Sequence, residues 1–228
     1  MHGWRRFPPA LSGKPSSERP RPSPEVGSLA TLLSLPVNPM TYLLVGDPAV
    51  EPVSVPDAKR HMRLDHDRDD DLIGGLIAAA RRHVEHETGI AVMLQTWRLY
   101  LDSWPADRCI RLRRHPVRRV ESVTVFDADG TPKSLLDTSL RLDAVSRPAR
   151  LMISDALPPE AATNGIEIEF TAGLAELPPE VPDDIVRAIL LLVAQWYEFR
   201  GAFSASDQPV AIPTGVERLI APYRVHRI

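Results

Sequence analysis

The densest chemistry in the sequence is Asp65-His-Asp-Arg-Asp-Asp-Asp71, a run dominated by carboxylates. Clustered carboxylate oxygens are what a hard divalent cation needs. Asp65, Asp67 and Asp69 have the spacing of the first three ligands of a calcium loop. Asp70, however, stands where the turn glycine belongs, and Leu76 where the bidentate glutamate belongs. The plainer reading is a set of acids at the start of a helix, where they complement its dipole. His83 and His86 lie three apart, flanked by Glu85 and Glu87, so on a helix they share a face. With His61 or His66 they could complete a metal site, although the His-Glu-x-x-His order is missing. Taken together, these residues would suit a metal-dependent hydrolase or nuclease. A solvated helical face is the plainer alternative.

A second constellation is basic. Arg108, Arg111, Arg113, Arg114, Arg118 and Arg119 surround His115-Pro116. Of these, Arg111, Arg113, Arg114, Arg118 and Arg119 are candidate contacts to DNA phosphates or to an acidic protein surface. A free DNA-binding module is one reading and a solvated hairpin another. The cluster lacks the aromatics that stack on bases. Cys109 is the sole cysteine, which makes an internal disulfide impossible and a reducing compartment the default. No Gly-rich phosphate loop and no Gly-x-Ser-x-Gly occurs. The residues by themselves therefore name no catalytic group, cofactor or metal.

The elements that must carry these groups are legible. Val181–Gly201 reads as one long helix: Pro182 suits its start, Asp183 and Asp184 its first turn, and Gly201 its stop. Ile185, Ile189, Leu192, Val193 and Trp196 form its core stripe. Ser54-Val-Pro-Asp57 has capping-box spacing and opens a short helix through Met62. A second long helix is expected from about Asp69 to Thr88, closed by Gly89, with Ile73, Leu76, Ile77, Ala80 and Val84 buried. Gly74 and Gly75 inside it cost roughly 1 kcal/mol each against alanine. Close approach of the last long helix is the expected reason for them.

After Ala91 the period changes to two. Thr96–Asp102 alternates Trp97, Leu99 and Leu101 against polar residues, which is strand spacing. Further strands are expected at Cys109–Leu112, Val120–Phe126, Ser139–Asp143, Ala149–Ile153 and Gly165–Thr171. A short helix is expected over Val216–Ala221. The fold class is α+β, a small helical bundle with an inserted antiparallel β-sandwich or barrel. Residues 1–39, rich in Pro, Ser and Arg, read as a disordered arm or as residues ahead of a start at Met40. Residues 40–92 with 174–201 form the helical domain, 93–173 the inserted β domain, and 202–228 a C-terminal docking tail. The formal charge of −3 favours neither a nucleic-acid binder nor a membrane-surface protein as a whole.

From Met40 onward the sequence resembles the head–tail connector (adaptor) proteins of tailed bacteriophages, prophages and gene transfer agents. The resemblance rests on Val53–Asp65, on Asp70-Asp-Leu-Ile73 leading to Glu87-Thr-Gly89, and on His115–Val123 with Asp127-Ala-Asp-Gly130. Pro148-Ala-Arg150, Ile168–Gly173, Val181–Ile185 and Gln195–Arg200 complete it. It implies a non-enzymatic structural subunit without cofactors, assembled in the bacterial cytoplasm and located in the neck of a virion or phage-like particle. There it would form a homo-oligomeric ring, typically twelve-fold. The ring would sit between the portal protein and the next tail component, a stopper or tail terminator. Such a ring extends the DNA channel, touching DNA without reading its sequence, and meets no membrane. Pro222, Tyr223, Arg224, Arg227 and Ile228, apolar and basic at the terminus, are the expected partner-binding residues.

Overall fold

A computed structural model describes residues 40–135, 140–154, 164–199 and 214–224. Four helices and eight strands follow in the order β1 (Thr41–Gly46), α1 (Val55–Met62), α2 (Asp70–Thr88), β2 (Gln95–Leu101), β3 (Cys109–Leu112), β4 (Val117–Phe126). The chain continues through β5 (Pro132–Ser134), β6 (Leu140–Asp143), β7 (Ala149–Ile153), β8 (Ile166–Ala172), α3 (Asp183–Glu198) and α4 (Thr214–Ile220). Among the described residues no helix is long and apolar enough to cross a membrane.

The helix boundaries follow from local chemistry. Ser54 caps α1 by accepting the Asp57 backbone N–H at 3.2 Å, and its hydroxyl donates to the Asp57 carboxylate at 2.6 Å. Gly89 closes α2 in the left-handed region, its N–H reaching the Glu85 carbonyl at 2.9 Å. The α3 ladder begins on the Pro182 carbonyl, with Asp183 and Asp184 in the first turn. Gly201, expected to end this helix, lies outside the described residues.

One apolar cluster is built from the helices. Ala58 of α1, Ile73, Ile77, Ala80 and Val84 of α2, and Ile185, Ala188, Ile189, Leu192, Val193 and Tyr197 of α3 are buried there. Val216 and Ile220 of α4 close it. At roughly 1.5–3 kcal/mol per fully buried aliphatic side chain, this stripe outweighs any single polar contact nearby. Two expectations are corrected here. Trp196 is only partly buried, its ring edge-on to His83 with centroids 6.0 Å apart, and the neighbouring Tyr197 takes the core position. The helical period brings the stripe between these two residues, and Tyr197 finds a hydroxyl partner in Asp69 at 2.5 Å. The glycines of α2 do not admit α3: a Cβ on Gly74 would meet Val55 of α1 at 3.9 Å, and one on Gly75 would meet nothing.

The strands form two antiparallel sheets, ordered β1-β2-β8-β4-β5 and β3-β7-β6. Their facing side chains share a second cluster, in which Leu99, Ile110, Leu112, Val123, Leu151, Ile166, Ile168 and Phe170 are buried. Each sheet keeps open edges, so the arrangement is a sandwich and not a closed barrel. Strands β2, β7 and β8 alternate buried with less buried residues, as period two requires. Sequence reading assigned Thr41–Gly46 to the helical region, yet it is the edge strand β1. Tyr42 and Leu44 pack toward the strand cluster while Leu43 and Val45 are exposed. The three-residue β5 was likewise unanticipated.

Candidate interaction surfaces and the buried polar junction

The acidic loop is a clamp between helices. Lys59 of α1 donates to Asp70 at 2.8 Å and pairs with Asp67. Asp69 accepts the Tyr197 hydroxyl of α3. Asp69 is the N-cap residue of α2, but its carboxylate makes no cap to the backbone; Asp70 and Asp71 lie in the first turn. Three carboxylates are therefore directed at protein donors. His86 is exposed, whereas the His83 ring lies against Trp196 with its Nε2 buried and unbonded. Among the described residues no group of three or more His, Cys, Asp or Glu is placed to hold a metal ion.

The basic cluster is dispersed by strand alternation and by the bend at His115-Pro116. Arg114 stacks over Trp97 with its guanidinium carbon 4.4 Å from the ring centroid, and burial holds its pKa below the usual arginine value. Arg118 donates to the carbonyls of Gly173 and Leu174 at 2.8 and 2.6 Å. Arg119 pairs with Glu121 at 2.5 Å and Arg111 with Asp107 at 2.9 Å. Arg113 is exposed. Cys109 is buried at the start of β3.

At the C-terminus Tyr223 packs partly buried on the helical cluster. Arg224 reaches Glu87 of α2 at 3.1 Å and Glu217 of α4 at 3.7 Å. Pro222 is exposed, while Arg227 and Ile228 lie outside the described residues. The Tyr223 carbonyl also faces the imidazole of buried His115. Burial, assisted by the charges of Arg147 and Arg114, holds this histidine below its ordinary pKa.

Sequence reasoning missed the most buried charged group among the described residues. Arg81, 2% exposed, lies on α2 beside Glu85, 5% exposed. Its guanidinium forks onto Glu51 at 2.8 and 3.1 Å and donates to Glu85 at 3.0 Å. The other Glu85 oxygen accepts from the Val92 backbone at 2.9 Å and from the Gln95 side chain at 2.5 Å. Burial pushes the Glu85 carboxyl above its usual range, with Arg81 opposing that shift. For Arg81, its two carboxylate partners outweigh the burial penalty and raise its pKa. The network joins α2 to the segment entering β2. Beside it, Leu94 donates to the Ala175 carbonyl at 2.8 Å and Leu174 to that of Ala91 at 2.9 Å. Gly173 is required in this crossing, because a Cβ there would lie 2.5 Å from the Leu94 Cα. The only cue in the sequence was the four-residue spacing of Arg81 and Glu85.

The described geometry thus offers surfaces and structural ties, and no converging reactive groups. Residues 53–122 match the family model of phage gp6-like head–tail connector proteins. A chain in the neck of an empty gene transfer agent particle computed with C6 symmetry is 28% identical, with a TM-score of 0.69. A chain of the native gene transfer agent virion gives 28% and 0.70, and one in a native neck computed with C12 symmetry gives 29% and 0.63. Each match covers 82% of this chain and 97% of the other. No curated protein matches the sequence. The resemblance read from the sequence is borne out: residues 53–122 match the head–tail connector family, and the chain is similar in its α+β fold to a protein of the gene transfer agent neck.

Proposed function

We propose that this protein is a structural head–tail adaptor, a ring subunit seated between the portal and the tail components of a phage or gene transfer agent particle. The observation that carries this reading is the likeness to neck and virion chains, which extends over 82% of this sequence and 97% of theirs. A ring of such subunits would extend the DNA channel without catalysis, and a twelve-fold arrangement matches the symmetry of one of those necks. The helical cluster and the strand sandwich would act as two domains of the subunit. The tail from Pro222 onward would dock on a neighbouring protein. Arg224, held by Glu87 and Glu217, fixes the point from which the last four residues depart.

Negative-stain imaging of the purified protein mixed with its portal tests the reading. An added ring on one face of the portal is expected. A protein that leaves the portal unchanged at micromolar concentration would overturn it. Deleting residues 225–228 tests the tail separately: stability should be retained while the portal complex is lost.

A further inference from the structure

The outer face of the small sheet is built for anions. In β7, Leu151 and Ile153 point into the sandwich, so Arg150 and Met152 point out. The register sets Arg111 of β3 and Asp143 of β6 beside Arg150, and Cys109 and Arg141 beside Met152. Arg111 and Arg150 thus stand directly opposite each other, a like-charge pairing that costs stability in a sheet. Arg113 continues the alternation past the end of β3, and Arg147 precedes β7 on the side of Arg113 and His115. Asp107 is engaged by Arg111 at 2.9 Å and Asp143 by Arg150 at 2.7 Å. No acid pairs with Arg113, Arg141 or Arg147 among the described residues, and all three are exposed. The chain as a whole is net negative, so this concentration is local.

We infer that this face, through Arg113, Arg141 and Arg147 with Arg111 and Arg150 behind them, binds the phosphate backbone of duplex DNA. Strand geometry fixes the spacing: neighbours across the sheet are about 4.8 Å apart, and successive outward residues along a strand about 6.7 Å apart. That grid lets adjacent guanidiniums engage successive phosphates. A protein partner would need an apolar or aromatic centre to its contact. Here the exposed large apolar side chains are Met152 and, just past the end of β6, Val145, and neither is aromatic. Base readout and single-strand stacking need aromatics, and no aromatic side chain stands in the grid. Arg114, Arg118 and Arg119 play no part, since Trp97, two carbonyls and Glu121 hold them. The identity of the polyanion as duplex rests on the adaptor reading; the binding itself is measured on the free protein.

The test is fluorescence anisotropy of the full-length protein with a labelled duplex of arbitrary sequence, over a range of low salt concentrations. The triple variant Arg113→Ala/Arg141→Ala/Arg147→Ala is compared with wild type, with Arg119→Ala as the control. Three lost phosphate contacts should make the slope of log K against log salt shallower by about 2.7, or 0.9 for each. Arg119→Ala should keep the wild-type slope, and two unrelated duplexes should bind equally. The comparison subtracts any contribution from the basic N-terminal residues, which all the proteins share. Unchanged thermal midpoints will show that the variants are folded. A triple variant with the wild-type slope, or a wild type that binds poly-glutamate through these residues and not DNA, overturns the inference. The adaptor reading can fail separately, because the portal-mixing experiment does not depend on this face.

Discussion

Arg81→Met is the substitution from which the structure predicts most. It removes two hydrogen bonds to Glu51 and one to Glu85 while keeping much of the aliphatic volume. Glu51 is only half-buried and can turn to water. Glu85 cannot, because it is 5% exposed and committed to Val92 and Gln95. Breaking one side of a buried ion pair costs roughly 3–5 kcal/mol, most of it from the stranded charge. The two donors that remain to Glu85 place the expected loss near 3 kcal/mol, the lower end of that range. Protonation offers Glu85 a way out, and this gives the prediction a sign in pH. Its folded pKa is already raised by burial, and losing Arg81 raises it further. Such a group contributes stability fully below the unfolded carboxyl pKa and loses it as pH rises through the folded value. The penalty should therefore be smaller at pH 5 than at pH 7.5. Adding Glu85→Gln removes the charge, and the double variant should recover about half of the loss at pH 7.5. Urea titrations of the three proteins at both pH values provide the measurement. A single-variant cost below about 1 kcal/mol at pH 7.5, or a double variant no better than the single, would refute the account of Glu85 as a stranded charge.

Three further outcomes are expected. Gly173→Ala should destabilise by about 1–3 kcal/mol in the same titration, because its Cβ would overlap the backbone of Met93 and Leu94. Gly75→Ala should stabilise the isolated subunit by up to about 1 kcal/mol, since a helical alanine there meets open space; a loss of stability would refute the open-face description. His115, held below its ordinary pKa of 6.5, contributes stability that is present above that pH and lost as pH falls toward its folded value. Wild type should therefore weaken between pH 7 and 5 by more than His115→Gln does, as followed by thermal midpoints.

The long periodic elements were readable because burial imposed their pattern. Ile73, Ile77, Ala80 and Val84 on α2, and the alternation of Trp97, Leu99 and Leu101 on β2, lie where spacing placed them. What escaped was set by contacts distant in sequence. The choice between Trp196 and Tyr197 depended on Asp69, more than a hundred residues away. Thr41–Gly46 is a strand because β2 offers it an edge, and the stretch is too short to announce that alone. The Arg81–Glu85 pair escaped notice, since nothing local reveals that Glu51, thirty residues earlier, will meet Arg81. That the arginine run disperses was legible, since alternation spreads such residues over both strand faces; that Arg114 stacks on Trp97 and Arg118 closes on the Gly173 and Leu174 carbonyls was not.

The register of β2 and β8 has a consequence for how such a chain can change in length. Gln95 pairs with Ala172, so the path leaves the helices and returns to them within one strand spacing. Strands and turns between those two points can lengthen or shorten at only a logarithmic cost in loop entropy, while α2 and α3 keep their separation. Strand β1 is the exception, because it reaches the same sheet from the other side of α1 and fixes Tyr42 against Phe170. Variation in the size of the sandwich should therefore accumulate in the turns beyond β4, at the edge opposite β1, where it leaves the crossing at Gly173 undisturbed.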